Sequence, residues 1–157
     1  MNRRLLAAAL VSLGALASLP ATAQFQKPED AIKYRQSALT VMSTHFGRVA
    51  AMAAGRIPYD AKAAADNAAI AVTMSRLPFV AFVDGSDKGM PTRAKPEVWS
   101  QNAKFKELAE KMQAEMVKFD AAAKTGSLDA LKPAVGAVGA ACKACHDDYR
   151  AEKYSAN

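Results

Sequence analysis

Both cysteines of the chain and one of its two histidines fall within five residues, Cys142-Lys143-Ala144-Cys145-His146. Two thiols at that spacing can add to the vinyl groups of one haem while the adjoining imidazole ligates its iron, which is the chemistry of c-type haem attachment. On a helix, Cys142 and Cys145 lie on one stripe and both sulfurs reach the same porphyrin edge, while His146 follows one turn on from Cys142. A thioredoxin-like redox pair needs a βαβ setting, and no strand pattern precedes this motif. A zinc site would need His45 as well, far upstream, and would have to use Cys145 and His146 as immediate neighbours.

The elements that must carry this motif read as helices. An Ala-rich composition with few β-branched runs shows apolar positions at helical spacing. A first helix, about 28–54, has Pro28 at its start, Glu29 and Asp30 in its first turn, and the stripe Ile32, Arg35, Leu39, Met42, Phe46, Val49, before Gly55 and Pro58 end it. A second, from Asp60 as N-cap to Leu77, puts Ile70, Met74 and Leu77 on one face and closes at Pro78. The connection 79–95 carries Gly85, Gly89 and Pro91, and its length marks it as functional. A third helix runs from Pro96 to about Lys124 with Val98, Phe105, Met112 and Phe119 seven apart, stopping at Gly126. The fourth carries Leu128, Leu131, Val135, Val138, Cys142, Cys145 and Tyr149 on one stripe, with Pro133 placing the start of regular helix nearer Lys132. The fold class expected is all-α, an antiparallel four-helix bundle with haem inside one end.

The first 23 residues read as a secretory signal. Arg3 and Arg4 precede the apolar run from Leu5 to Leu19, and Ala21-Thr22-Ala23 is a small-residue cleavage site. The run is shorter than the roughly 20 residues that span a bilayer, so no membrane span is expected after cleavage. Residues 24–157 then form one domain, exported to the periplasm, where the thiols become thioethers and not disulfides. The formal net charge of +6 falls once Arg3 and Arg4 are removed, and the remaining Lys and Arg are spread without a phosphate-tracking stripe, so no nucleic acid is expected.

With these residues in place, the chain resembles the cytochrome c′ family, the high-spin four-helix c-type cytochromes of bacterial periplasms. The resemblance rests on Gln24-Phe25, Tyr34-Arg35-Gln36-Ser37-Ala38-Leu39, His45-Phe46-Gly47-Arg48, Leu77-Pro78-Phe79, Ala81-Phe82, Pro96-Glu97-Val98-Trp99 and Gly139 through Arg150. It implies one covalent haem c on Cys142 and Cys145, a five-coordinate iron with His146 as proximal ligand, and no sixth ligand. It further implies that Leu39 is the distal leucine, that Phe79 and Phe82 form an aromatic wall with Trp99 near it, and that Arg35 and Gln36 hold a propionate and line the haem edge. Thr92 and Arg93 are loop contacts on the same basis, and Arg150 is the basic residue beside His146.

The implied function is NO and CO binding with electron transfer to a redox partner that these residues do not identify, in a homodimer built on the first two helices. Met52, Ala53 and Ala69 are the small or flexible residues available for that contact. The competing reading is a low-spin electron carrier with Met42 as sixth ligand, since Met42 shares the Leu39 face. His45 lies about 240° around the helix from Leu39 and faces away. An enzyme such as a peroxidase ranks last, because no His or carboxylate falls on the Leu39 face.

Overall fold

The computed structural model describes residues 24–155. The signal sequence expected at 1–23 lies outside the described residues. Helix α1 spans Pro28–Ala53, α2 Ala61–Met74, α3 Glu97–Ser100, α4 Asn102–Lys124 and α5 Leu128–Tyr149, with a 3₁₀ turn at Leu77–Ala81 between α2 and α3. No strand is present among the described residues, and no described helix is long and apolar enough to cross a membrane.

Local chemistry sets the helix ends. The Asp60 carboxylate accepts from Ala63 N at 2.9 Å and Ser127 Oγ from Ala130 N at 3.3 Å, each capping orphan donors at a helix start. Gly55 and Gly126 take φ of 68° and 72°, the left-handed conformation that lets the chain leave α1 and α4 without a Cβ clash. Three boundaries differ from the sequence reading. Helix α2 stops at Met74 and not at Leu77, because the Pro78 ring would clash with the Met74 carbonyl in a continuing helix. The expected third helix is broken at Gln101, whose φ of −117° and ψ of 39° separate the short α3 from α4. Pro133 lies inside α5, which starts at Leu128; the Ser127 cap nucleates the helix ahead of it, and the carbonyl left without a partner is that of exposed Asp129.

The long helices α1, α2, α4 and α5 close into a ring in which each packs on its neighbours in that order and α5 returns to α1. The core between them holds Met42, Val49, Met112, Met116, Phe119, Leu131 and Val138, with Ala64, Ala68 and Ala71 from α2. The α2 face is thus the alanine stripe. Ile70, expected to face inward, is 40% exposed, since close approach to α1 and α4 leaves room only for methyl groups. Met52 is likewise core and not a surface residue. A second cluster at one end, Val98, Phe105 and Tyr149 with Phe79, Phe82, Trp99 and Cys145 against it, frames the site.

Candidate haem site

A cavity of about 430 Å³ opens at that end of the bundle. Arg35, Gln36, Leu39 and Met42 reach it from α1, Phe79 and Phe82 from the 3₁₀ turn and the residue after it, Thr92 and Arg93 from the connection, Phe105 from α4, and Cys142, Cys145, His146, Tyr149 and Arg150 from the end of α5. Nearly every site residue expected from the sequence therefore meets in one place. Trp99 does not line it: the indole stands behind Phe82 at 6.3 Å between ring centroids and donates from Nε1 to Val83 O at 3.0 Å.

The α5 wall carries the attachment motif. Cys142 and Cys145 are free thiols, half-buried, on the cavity side of the helix. Burial raises the Cys142 pKa; for Cys145, burial followed by the nearby Cys142 and Asp148 pushes it up to about 11. His146 stands at the open side of the cavity, and its pKa is lowered by withdrawal from water and then by the charges of Arg150 and Arg93, which favours the neutral imidazole that a metal ligand requires. His45 is elsewhere, its Nδ1 2.7 Å from Asn67 Oδ1 on α2. No cluster of three or more metal-ligating side chains exists among the described residues, which leaves the zinc reading without a ligand set.

On the opposite side, Arg35 is 2% exposed and its guanidinium is committed to the connection. One terminal nitrogen donates to Ala81 O at 3.1 Å and Ser86 Oγ at 2.8 Å, the other to Ser86 O at 2.7 Å and Thr92 Oγ1 at 3.2 Å. It also stacks over Phe82, 4.6 Å from the ring centroid. Desolvation lowers its pKa to about 10 against the opposing pull of Asp87, so it stays charged at neutral pH. Arg35 thus ties α1 to the loop; the sequence reading of it as a residue that holds an anionic edge group missed this role, since nothing in the chain marks Ser86 as its partner. Gln36 is similarly engaged, donating from Nε2 to Pro91 O at 2.9 Å.

The hydroxyls on the α1 wall also turn back to protein. Thr40 Oγ1 donates to Gln36 O at 2.8 Å and Ser43 Oγ to Thr40 O at 3.1 Å. Leu39, Phe46, Phe79 and Phe82 supply the rest of that wall, which is apolar.

The connection and the chain end are sewn together beneath the cavity. Lys95 N donates to Tyr149 O at 3.0 Å and Ala151 N to Arg93 O at 2.8 Å, around an antiparallel bridge between Ala94 and Arg150. Arg93 Nε donates to Ala151 O at 2.7 Å, and Lys95 Nζ to Asp147 O at 3.0 Å at the C-terminal end of α5. This register brings Tyr154 to the cavity, a residue that no periodicity could have pointed to.

An apolar slot with two adjacent thiols, a neutral imidazole and a basic rim fits a planar, dianionic, iron-bearing ring. The Cytochrome C′ family model matches residues 30–150. The chain belongs to the cytochrome c′ family. A cytochrome c′ of Rubrivivax gelatinosus is 58% identical over 127 residues, covering 81% of this chain and 98% of the relative. The crystal structure of cytochrome c′ from that organism superposes with a TM-score of 0.79 at 57% identity, over 81% of this chain and 99% of the other. The nitric oxide complex of a leucine-to-alanine variant of Alcaligenes xylosoxidans cytochrome c prime gives a TM-score of 0.77 at 49% identity, over 83% of this chain and all of the other. As a cytochrome c′, the protein carries a covalently bound c-type haem, and its bundle is the four-helix bundle of the family.

Proposed function

We propose that this cytochrome c′ is a periplasmic mono-haem protein that binds NO and CO and takes part in electron transfer, with His146 as the one protein ligand to iron. When bound, the haem supplies an open coordination position and a one-electron couple. Cys142 and Cys145 hold it through thioethers from α5, and His146 presents a neutral imidazole beside them. Leu39, Phe79 and Phe82 crowd the opposite wall, with Thr92, Arg93 and Gln36 at its edge. Arg150, exposed at the end of α5, places a cation beside His146.

The observation that carries this reading is the state of the donors on the α1 wall: Thr40, Ser43, Gln36 and Arg35 all donate to protein acceptors. Dioxygen, which depends on a donor to its partial negative charge, is disfavoured there, whereas NO and CO depend on it less. The same wall supplies no His or carboxylate, so a peroxidase has no acid/base to move a proton.

The runner-up, a low-spin carrier with Met42 as sixth ligand, has one observation in its favour, since Met42 lines the cavity. Against it, Met42 is 7% exposed and packed into the bundle core with Val49 and Met116. The absorption spectrum of the ferrous protein separates the two: a high-spin spectrum that persists in Met42→Leu is expected, and a low-spin spectrum lost in that variant overturns the open-iron reading.

Cleavage after Ala23 and a single domain over 24–157 complete the proposal. A homodimer through α1 and α2 is supported by the exposed apolar Val41 and Ile70 on those helices.

A further inference from the structure

Behind the cavity lies a second hollow. A surface cleft of about 290 Å³ sits between the 3₁₀ turn and α4, with Val80, Ala109 and Gln113 on its walls and Arg76, Lys106 and Glu110 among its charged lining residues. The only residues it shares with the haem cavity are Phe79, Phe82 and Phe105. Their ring centroids are 4.9 Å apart for Phe82 and Phe105, 5.8 Å for Phe79 and Phe105, and 6.1 Å for Phe79 and Phe82. Three side chains therefore divide the cleft from the cavity.

We propose that this aromatic partition is a gated portal through which small uncharged gases pass from the cleft to the Leu39 side of the cavity. The proposal rests on the gas-binding reading above. Cys142, Cys145 and His146 stand on the α5 wall, so a group tethered to them occupies the space between that wall and Leu39 on α1. Thr40 and Ser43 leave the α1 edge of the cavity bordered by solvent, and the partition adds a second, wholly apolar way to the Leu39 side.

The three rings are not held alike. Phe105 is buried and anchored on a long helix, against Tyr149 at 5.3 Å. Phe79 lies in a single 3₁₀ turn and Phe82 follows it; both are half-buried, and the intervening Val80 is 48% exposed. A 3₁₀ turn has poorer hydrogen-bond geometry than an α-helix; its far end is pinned where Arg35 donates to Ala81 O and stacks over Phe82, which leaves Phe79 as the ring of this wall best able to give way.

The chemistry of the passage selects what crosses it. An uncharged diatomic gas loses almost no solvation on moving between phenyl rings, whereas an ion would have to shed its water at an apolar partition. Anions are not helped by Arg76 and Lys106, which stand outside the rings and leave the passage itself without a polar partner.

The test fills the cleft from its outer side in the haem-loaded protein, using Val80→Trp and, independently, Gln113→Trp, neither of which lines the haem cavity. A portal alters the barrier and not the bound state, so CO association and dissociation rates should both fall by one common factor, on the order of tenfold, with Kd unchanged. Phe105→Leu, which thins the partition itself but also lines the haem cavity, should raise the CO association rate. As a readout independent of CO kinetics, xenon should shift the NMR signals of Ala109 and Phe105 in the unsubstituted protein and cease to do so in either Trp variant.

Unchanged rates in both folded Trp variants would overturn the portal, as would a change in Kd with only one rate affected, which is the mark of altered crowding at the bound gas. Absence of CO binding in the unsubstituted protein would overturn the gas-binding reading, and the portal with it.

Discussion

Arg35→Lys keeps the charge and should nevertheless be among the most damaging conservative changes in the chain. Two guanidinium nitrogens serve four acceptors: Ala81 O and Ser86 Oγ on one side, Ser86 O and Thr92 Oγ1 on the other. A single ammonium can take the place of only one of them, so one pair of bonds is lost while a charge remains buried. At about 1.5–3 kcal/mol per charge-assisted bond, the gross loss is about 3–6 kcal/mol, which entry of water at the vacated pair trims to about 3 kcal/mol. Arg35→Met loses all four bonds and leaves the Ala81 and Ser86 carbonyl oxygens without this donor, so it should be at least as destabilising as Arg35→Lys. Guanidinium unfolding followed by far-ultraviolet circular dichroism measures both. A loss of about 3 kcal/mol lowers the midpoint by about 0.5–1.5 M for a domain with the usual denaturant sensitivity. Because the acceptors all belong to residues 81–92, exchange of the Trp99 indole proton, bonded to Val83 O, should quicken in both variants. If Arg35→Lys unfolds within about 0.2 M of the unsubstituted protein, a midpoint shift too small for a lost pair of such bonds, the reasoning about the fork fails.

Denaturation followed by extraction into acidified organic solvent should leave haem on the polypeptide, with intact mass showing one haem and loss of residues 1–23; haem recovered in the organic phase would refute thioether attachment at Cys142 and Cys145. Leu39→Ala should speed CO binding by relieving crowding on the α1 wall. Its stability cost should fall near the low end of the usual 2–5 kcal/mol for such truncations, about 2 kcal/mol, because Leu39 is only half-buried; unchanged gas kinetics in folded protein would reduce Leu39 to packing. Arg150→Ala should change stability by no more than about 1 kcal/mol, since the side chain is exposed. Because Arg150 places a cation beside His146, stopped-flow mixing with NO should show altered kinetics in the variant, and traces identical to those of the unsubstituted protein would remove Arg150 from the site.

The attachment motif, the helical class and the α1 stripe could be read directly from the chain, because they depend on short spacings that a single helix enforces. Cys142, Cys145 and His146 need only a spacing of three residues and an adjacent neighbour to fall on one wall of a helix, and Ile32, Arg35, Leu39 and Met42 need only period 3.6. The inward face of α2 was not legible: Ile70 is the more apolar residue, but the narrow space between α1 and α4 takes Ala64, Ala68 and Ala71, and packing volume overrode hydrophobicity. Nor could spacing reveal what Arg35 does, since its partners lie 46 to 57 residues away in an irregular segment. Tyr154 reaches the cavity only because residues 92–95 pair with the chain end. The three phenylalanines that wall the cavity from the outer cleft come from a 3₁₀ turn, the residue after it and a different helix. Local sequence decides which residues share a face, whereas long-range closure of the ring decides which faces meet, and only that closure makes a partition out of Phe79, Phe82 and Phe105.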